Sequence, residues 1–130
     1  MTTYVTDTHA LLWYLGGSPQ LSDAARAAFD DALSGNGQVN IPAIVLAEAV
    51  MLIEKRRIAI DMNRITTALK SKPGFQLTPL SPEVVLRTQT LTALPDIHDR
   101  LIVAEAQELG ATLITRDRLI ASSGLVPVVW

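Results

Sequence analysis

The sequence predicts an α/β domain built on a mainly parallel sheet, and three observations carry that expectation. Short β-prone runs alternate with longer helical runs along the chain, the pattern of strand–helix–strand units. Turn-forming clusters such as Gly35-Asn36-Gly37 and Lys72-Pro73-Gly74 fall between the runs. The 130 residues are 48% hydrophobic and 18% charged, enough apolar material for one real core, with little room for a second domain. Residues 1–130 are therefore expected to form a single domain. Crossovers between parallel strands are nearly always right-handed, which places helices on both faces of the sheet.

The elements follow in order. Tyr4-Val5-Thr6 is a β-prone run ending at Asp7. Ala10 to Leu15 is an apolar helical segment stopped by Gly16-Gly17. Ser22 suits the N-cap of a helix reaching Leu33. Val39-Asn40-Ile41 is a second strand, and Pro42 suits the first position of a helix extending to about Arg57. The basic end of that helix, Lys55-Arg56-Arg57, complements a helix C-terminus. Asp61 caps a further helix to about Leu69, Phe75 to Leu80 reads as a strand, and Ser81-Pro82-Glu83 starts a helix. A loop around Pro95 leads into a helix from about His98 to Leu109, with Gly110 as its stop. Thr112 to Thr115 is a strand, Leu119-Ile120 a short helical piece, and Val126 to Trp130 a last strand.

Composition excludes several chemistries. There are no cysteines, so disulfide frameworks, thiolate zinc sites and cysteine nucleophiles are absent. The net charge of -2 counts against a nucleic-acid binder, although a metal site built from acids concentrates negative charge that cations cancel. The N-terminus has no basic lead for a signal peptide. The longest apolar run, Ile41 to Ile53, has 13 residues and contains Pro42 and Glu48. It falls short of the roughly 20 residues that span a bilayer. A soluble, non-secreted, cytoplasmic protein with no membrane partner is the expectation.

The candidate chemistry lies at strand ends. Ligands of open parallel sheets bind beyond the carboxyl ends of the strands. Asp7 and Asp117 both follow predicted strands, although each alone also suits a turn or a helix N-cap. Glu48 interrupts an apolar helix whose neighbours at three and four positions are Ile44, Val45, Met51 and Leu52. No face of this segment is polar, so it is expected to be buried in a core or at a subunit interface. A carboxylate there is costly unless it is paired, protonated or bound to metal, and the bland alternative to a metal is an arginine elsewhere in the chain. Asp96 and Asp99 suit an N-cap and a first helical turn by local logic alone. Their role changes if the acids converge, because clustered carboxylates repel unless cations intervene. Hard oxygen donors without cysteine suit Mg²⁺ or Mn²⁺.

The remaining polar and aromatic residues admit bland readings. His9 suits a packed or solvent-facing position, and His98 a helix start beside Asp99. Neither has the spacing of a zinc helix motif. Trp13 and Tyr14 are expected in the core or at an interface rather than as base-stacking residues. Arg100 and Arg116 flank candidate acids, and each suits either a phosphate or its acidic neighbour.

Taken together, these segments resemble the PIN-domain family, especially VapC-type toxins of bacterial toxin–antitoxin pairs. Val5-Thr6-Asp7-Thr8-His9-Ala10-Leu11-Leu12-Trp13 resembles the family's opening strand and helix. The helix bearing Glu48 matches its second acidic position. Asp96-Ile97-His98-Asp99-Arg100-Leu101-Ile102-Val103-Ala104-Glu105-Ala106 resembles its D-P-F-D-R-x-x-x-A-x-A stretch, and Leu113-Ile114-Thr115-Arg116-Asp117 its late strand ending in T-x-D. Order and separations agree over nearly the whole chain. Ile97 and His98 depart from the frequent Pro and Phe, leaving the acid spacing intact.

The resemblance implies a three-layer α/β/α fold with a parallel sheet of about five strands. It implies Mg²⁺- or Mn²⁺-dependent cleavage of RNA, a homodimer, and a cognate antitoxin that blocks the cleft. Asp7, Glu48, Asp99 and Asp117 occupy the family's acidic positions. Asp96 fits an accessory acid, and Thr115 fits a residue that orients water or a ligand. Asp7 with Asp99 or Asp117 is expected to hold the principal ion, with Glu48 as a further ligand or an outlying base. Two rivals stand beside this reading. A receiver-type phosphoacceptor module would need an adjacent acidic pair at the first strand and a late lysine, where this chain has Thr6, Thr8 and Arg116. A catalytically inactive PIN-fold interaction module would not need the complete acidic set.

Overall fold

A computed structural model describes residues 1–130. Five parallel strands form one sheet in the order β3-β2-β1-β4-β5. They are β1 (Thr2–Thr6), β2 (Gly37–Pro42), β3 (Phe75–Thr78), β4 (Thr112–Ile114) and β5 (Val128–Val129). Seven α-helices connect or flank them: α1 (Thr8–Gly16), α2 (Asp23–Asp31), α3 (Ala43–Glu54), α4 (Met62–Ser71), α5 (Pro82–Arg87), α6 (Ile97–Leu109) and α7 (Arg118–Ser123). From β1 the chain steps outwards through β2 to β3, then returns past β1 to β4 and β5. With right-handed crossovers, α1 to α4 cover one face and α5 to α7 the other. The expected parallel α/β sandwich of five strands is the observed one.

Local chemistry explains where the helices begin. Asp7, Ser22, Asp61, Ser81, Asp96 and Asp117 each accept a hydrogen bond from a backbone N–H of the first turn of the helix that follows. At Gly110 the chain takes φ 61°, the left-handed conformation that ends α6 and turns it into β4. At Gly37 the constraint is space: a Cβ there would lie 2.7 Å from the Thr2 carbonyl oxygen across the β1–β2 pair.

Thirty-two buried apolar residues form one core. Val5, Val39, Ile41, Leu113 and Ile114 come from the sheet, all with no exposed surface. Phe29 joins α2 to it, stacked on Tyr14 at 4.4 Å between ring centroids and meeting Phe75 edge-on at 6.4 Å.

Several boundaries differ from expectation. The helix after β2 ends at Glu54 rather than Arg57, and Pro42 is its N-cap as well as the last residue of β2. Residues Ala32–Asn36 form a π turn in which Gly35 takes φ 97°, so α2 stops at Asp31 rather than Leu33. The last strand is only Val128–Val129, paired with β4 alone. The apolar α3 helix is not enclosed: only Val45 and Ala49 are fully buried, and Val50 and Met51 are exposed. No helix is long and apolar enough to cross a membrane.

Candidate active site

The sheet sets the location of the site. Strand order reverses between β1 and β4, and in open α/β sheets ligands bind in the crevice beyond the carboxyl ends of the strands at such a point. Here a cavity of about 340 Å³ opens, and Asp7, Glu48, Asp99 and Asp117 all line it.

Each acid arrives from a different element. Asp7 leaves β1 and caps α1: its Oδ1 accepts from the Ala10 N–H at 2.9 Å, and its Oδ2 accepts from the Thr115 hydroxyl. Asp117 leaves β4 and caps α7, with Oδ1 accepting from the Ile120 N–H at 3.0 Å. Thr115 ties the two together, because its oxygen also accepts from the Asp117 N–H at 3.1 Å. Asp99 projects from the first turn of α6. Glu48 reaches over from α3, where its Oε1 accepts from the Thr8 hydroxyl at 2.7 Å. Its Oε2 lies 3.4 Å from His98 Nδ1.

Glu48 is thus partly exposed at the cleft, not buried among apolar residues, and no arginine pairs with it. The pattern argument placed α3 in a core or at a subunit interface; within this chain only Val45 and Ala49 are fully buried.

The cluster is electrostatically strained as it stands. The Asp99 carboxyl is pushed up from 3.8 to about 6, first by burial and then by Asp96, Asp117, Glu48 and Asp7. Burial also raises Asp7; hydrogen bonds from Thr115 and Ala10 and the charge of His9 oppose this, and Glu48 adds to it. Four oxygen-donor side chains crowding one cavity match the preferences of a hard divalent cation. As the side chains stand, no three His, Asp or Glu groups close into a finished coordination shell. The fit therefore lies in donor chemistry and charge.

The accessory residues divide. Thr115 is fully buried and holds Asp7 and Asp117 in place. Asp96 caps α6 through the His98 N–H at 2.7 Å, with its carboxylate largely exposed and outside the cavity lining. The Arg100 Nε donates to the Leu94 carbonyl, so this guanidinium braces the loop before α6. Arg116 does line the cavity, and its guanidinium carbon sits 4.5 Å above the Trp13 ring rather than on a carboxylate. Tyr14 packs as a core-edge residue, its hydroxyl donating to Asp30 at 2.8 Å.

Thr8, His9, Trp13 and Trp130 also line the cavity and were not expected there. The run Asp7-Thr8-His9 after β1 carried a signal for the first two, since residues beside a strand-end acid share its crevice. Nothing local marked Trp130, which reaches the site only because β5 pairs with β4.

Fold and site together define a parallel α/β domain with an acidic cleft at its topological switch point. The PIN-domain family model matches residues 4–122, and the chain belongs to that family. A ribonuclease of Mycobacterium tuberculosis, VapC22, is 31% identical over 127 residues, covering 94% of this chain and 92% of that one. Among solved structures, VapBC2 of Rickettsia felis bound to a promoter DNA fragment superimposes with a TM-score of 0.74. It shares 16% identity and covers 98% of this chain and 97% of its own. A toxin–antitoxin complex from Klebsiella pneumoniae gives a TM-score of 0.69 at 23% identity, covering 95% and 94%. At these identities the two structures speak for the fold.

Proposed function

We propose that this protein is a metal-dependent endoribonuclease acting as the toxin of a toxin–antitoxin pair. The observation that carries the reading is the meeting of Asp7, Glu48, Asp99 and Asp117 in one cavity, with Asp99 raised to about 6 first by burial and then by its acidic neighbours. Uncompensated, such a cluster is costly; around a divalent cation it becomes a binding site. The ribonuclease named among its relatives supports RNA as the polymer cut.

Asp7, Asp99 and Asp117 would hold the ion, Mg²⁺ or Mn²⁺, and Glu48 would serve as a further ligand or as a base acting through water. The ion, when bound, supplies Lewis-acid polarisation of the scissile phosphate and lowers the pKa of attacking water. The chain's own residues do the rest. Thr115 keeps Asp7 turned into the cleft, and the Ala10 N–H fixes its other oxygen. Thr8 restrains Glu48 so that its second oxygen faces the cavity mouth and His98.

The partners follow from the same surfaces. A basic antitoxin arm suits a cleft lined by four acids, and the solved complexes similar in fold are toxin–antitoxin assemblies. The exposed apolar residues Val50 and Met51 on α3 support a homodimer. We take residues 1–130 as one domain working in the cytoplasm.

The test is cleavage of a panel of structured RNAs by antitoxin-free protein with Mg²⁺ or Mn²⁺, with EDTA, and beside Asp7→Asn. Metal-dependent cuts that vanish in the variant are expected. A fully active Asp7→Asn protein would overturn the site. Folded protein that binds no metal and cuts nothing would leave an inactive interaction module.

A further inference from the structure

One wall of the acidic cavity is not acidic. Trp13, Trp130, His9 and Arg116 form it. The Trp13 and Trp130 rings meet edge-to-face at 6.0 Å, and His9 tilts against Trp13 at 5.3 Å. The Arg116 guanidinium lies over Trp13, exposed on its outer side, and no carboxylate approaches within ion-pair distance of it. Arg116 directly precedes Asp117 in the chain yet does not pair with it. A cation stacked on an aromatic ring loses some rotamer freedom and keeps its N–H donors available for a ligand.

We infer that this wall is a nucleotide subsite: it takes one unpaired nucleotide of the RNA beside the scissile phosphate. The inference rests on the ribonuclease reading and deepens it. Trp130 and the outer face of Arg116 offer a stacking surface for a base, while the guanidinium edge offers donors to a phosphate. Trp13 is 8% exposed, so its role is to hold Arg116 in place from beneath. A base must be unstacked from its neighbours to use such a wall, so the substrate is a single-stranded or loop segment rather than a duplex. A protein arm is the other occupant to consider. A basic arm suits the acidic side of the cavity, whereas on this wall the Arg116 charge, paired with no carboxylate, favours an anionic group such as an RNA phosphate.

The chain contains two tryptophans, and both stand in this wall. Intrinsic fluorescence therefore reads the subsite directly. The full chain is titrated in EDTA with a pentaribonucleotide of mixed sequence, and with inorganic tripolyphosphate as a base-free anion. The RNA should quench fluorescence saturably and tripolyphosphate should not. Trp130→Ala should weaken RNA binding about tenfold or more, within the range of one base–aromatic stack, and Trp130→Phe should recover most of it. Arg116→Gln should flatten the slope of log affinity on log salt by about 0.7, the loss of one phosphate contact on a single strand. A purely structural role for Arg116 would not move that slope.

Binding by Trp130→Ala within twofold of the parent, in protein with an unchanged circular dichroism spectrum, would overturn the subsite. So would equal quenching by tripolyphosphate, or an unaltered salt slope in Arg116→Gln. A lysine- and arginine-rich decapeptide that quenches both tryptophans where RNA does not would make the wall a protein-docking surface and defeat the proposal. Parallel cleavage assays separate the two readings. Metal-dependent cutting without RNA quenching removes the subsite and leaves the nuclease. Saturable quenching without cutting in either metal keeps the subsite and removes the nuclease.

Discussion

Removing one negative charge from the cleft should stabilise the metal-free protein. Asp99 gives the clearest case, because its carboxyl is raised from 3.8 to about 6. Between those values the native state holds a proton that the unfolded state has released, so stability falls as pH rises through the window. Above about 6 the loss is complete; below 3.8 it is absent. At full value the gap corresponds to about 3 kcal/mol. Asp99 is only partly buried, and solvent screening reduces this to roughly 1–2 kcal/mol. A carboxylate in the first turn of α6 also returns about 0.5 kcal/mol through the helix dipole. The net expectation for Asp99→Asn is therefore a gain of about 1 kcal/mol at pH 8, and near-equality at pH 4.

Urea unfolding in EDTA measures this. With m-values of about 1–3 kcal/mol/M for small proteins, the midpoint should rise by roughly 0.5 M at pH 8. Adding Mg²⁺ or Mn²⁺ should stabilise the parent more than the variant, because the ion binds the native cluster that the variant has depleted. A variant less stable than its parent at pH 8, or a gain independent of pH, would refute the electrostatic account. Asp99 would then be held by contacts that outweigh the repulsion.

Three further outcomes are expected. Thr115→Val removes the donor to Asp7 and the acceptor for the Asp117 N–H at a fully buried position; it should cost about 1–3 kcal/mol in urea unfolding, while Thr115→Ser should cost much less. Glu105, on α6, is buried and leaves Oε2 without a hydrogen-bond partner, and burial pushes its carboxyl up. The charged form is therefore the disfavoured one, so Glu105→Gln should raise the urea midpoint at pH 8 and leave it nearly unchanged at pH 4. Gly37→Ala would drive a Cβ to 2.7 Å from the Thr2 carbonyl and 3.2 Å from the Ala32 Cα, both backbone; separation of β1 from β2 should lower stability by about 1–3 kcal/mol, read as a lower melting temperature.

The elements legible in the sequence are those whose signals are local. Capping residues and the stops at Gly17 and Gly110 marked most helix ends, because they act on the next few peptide groups. The β–α alternation gave the parallel sheet. What local pattern could not supply was which side of an apolar helix the sheet covers. In α3 the answer is the Val45–Ala49 side, leaving Met51 half in water and Glu48 at a cleft. Nor could it place Trp130, whose proximity to Trp13 depends on β5 adding beside β4. Arg116 had two equally good sequence readings, and the aromatic ring on which it stacks instead of pairing with its acidic neighbour lies about a hundred residues away in the chain.

The acids also show why capping and chemistry are poor alternatives. By local logic Asp7 and Asp117 were helix caps, and both are. Each spends Oδ1 on a backbone N–H at the start of the following helix. That bond fixes the carboxylate at the carboxyl edge of the sheet, where the strand has just ended and the helix has just begun. A carboxylate has about four acceptor positions, so one cap leaves capacity for other partners. For Asp7, the Thr115 hydroxyl takes part of that capacity and orients the group further. Capping thus serves as the positioning device for the cluster. An Asp7→Ser substitution separates the two roles, since serine caps a helix nearly as well but brings no carboxylate. It should keep the unfolding free energy within about 1 kcal/mol of the parent's while abolishing metal-dependent cleavage. Loss of folding in Asp7→Ser would mean that the carboxylate itself, through Thr115, holds β1 to β4.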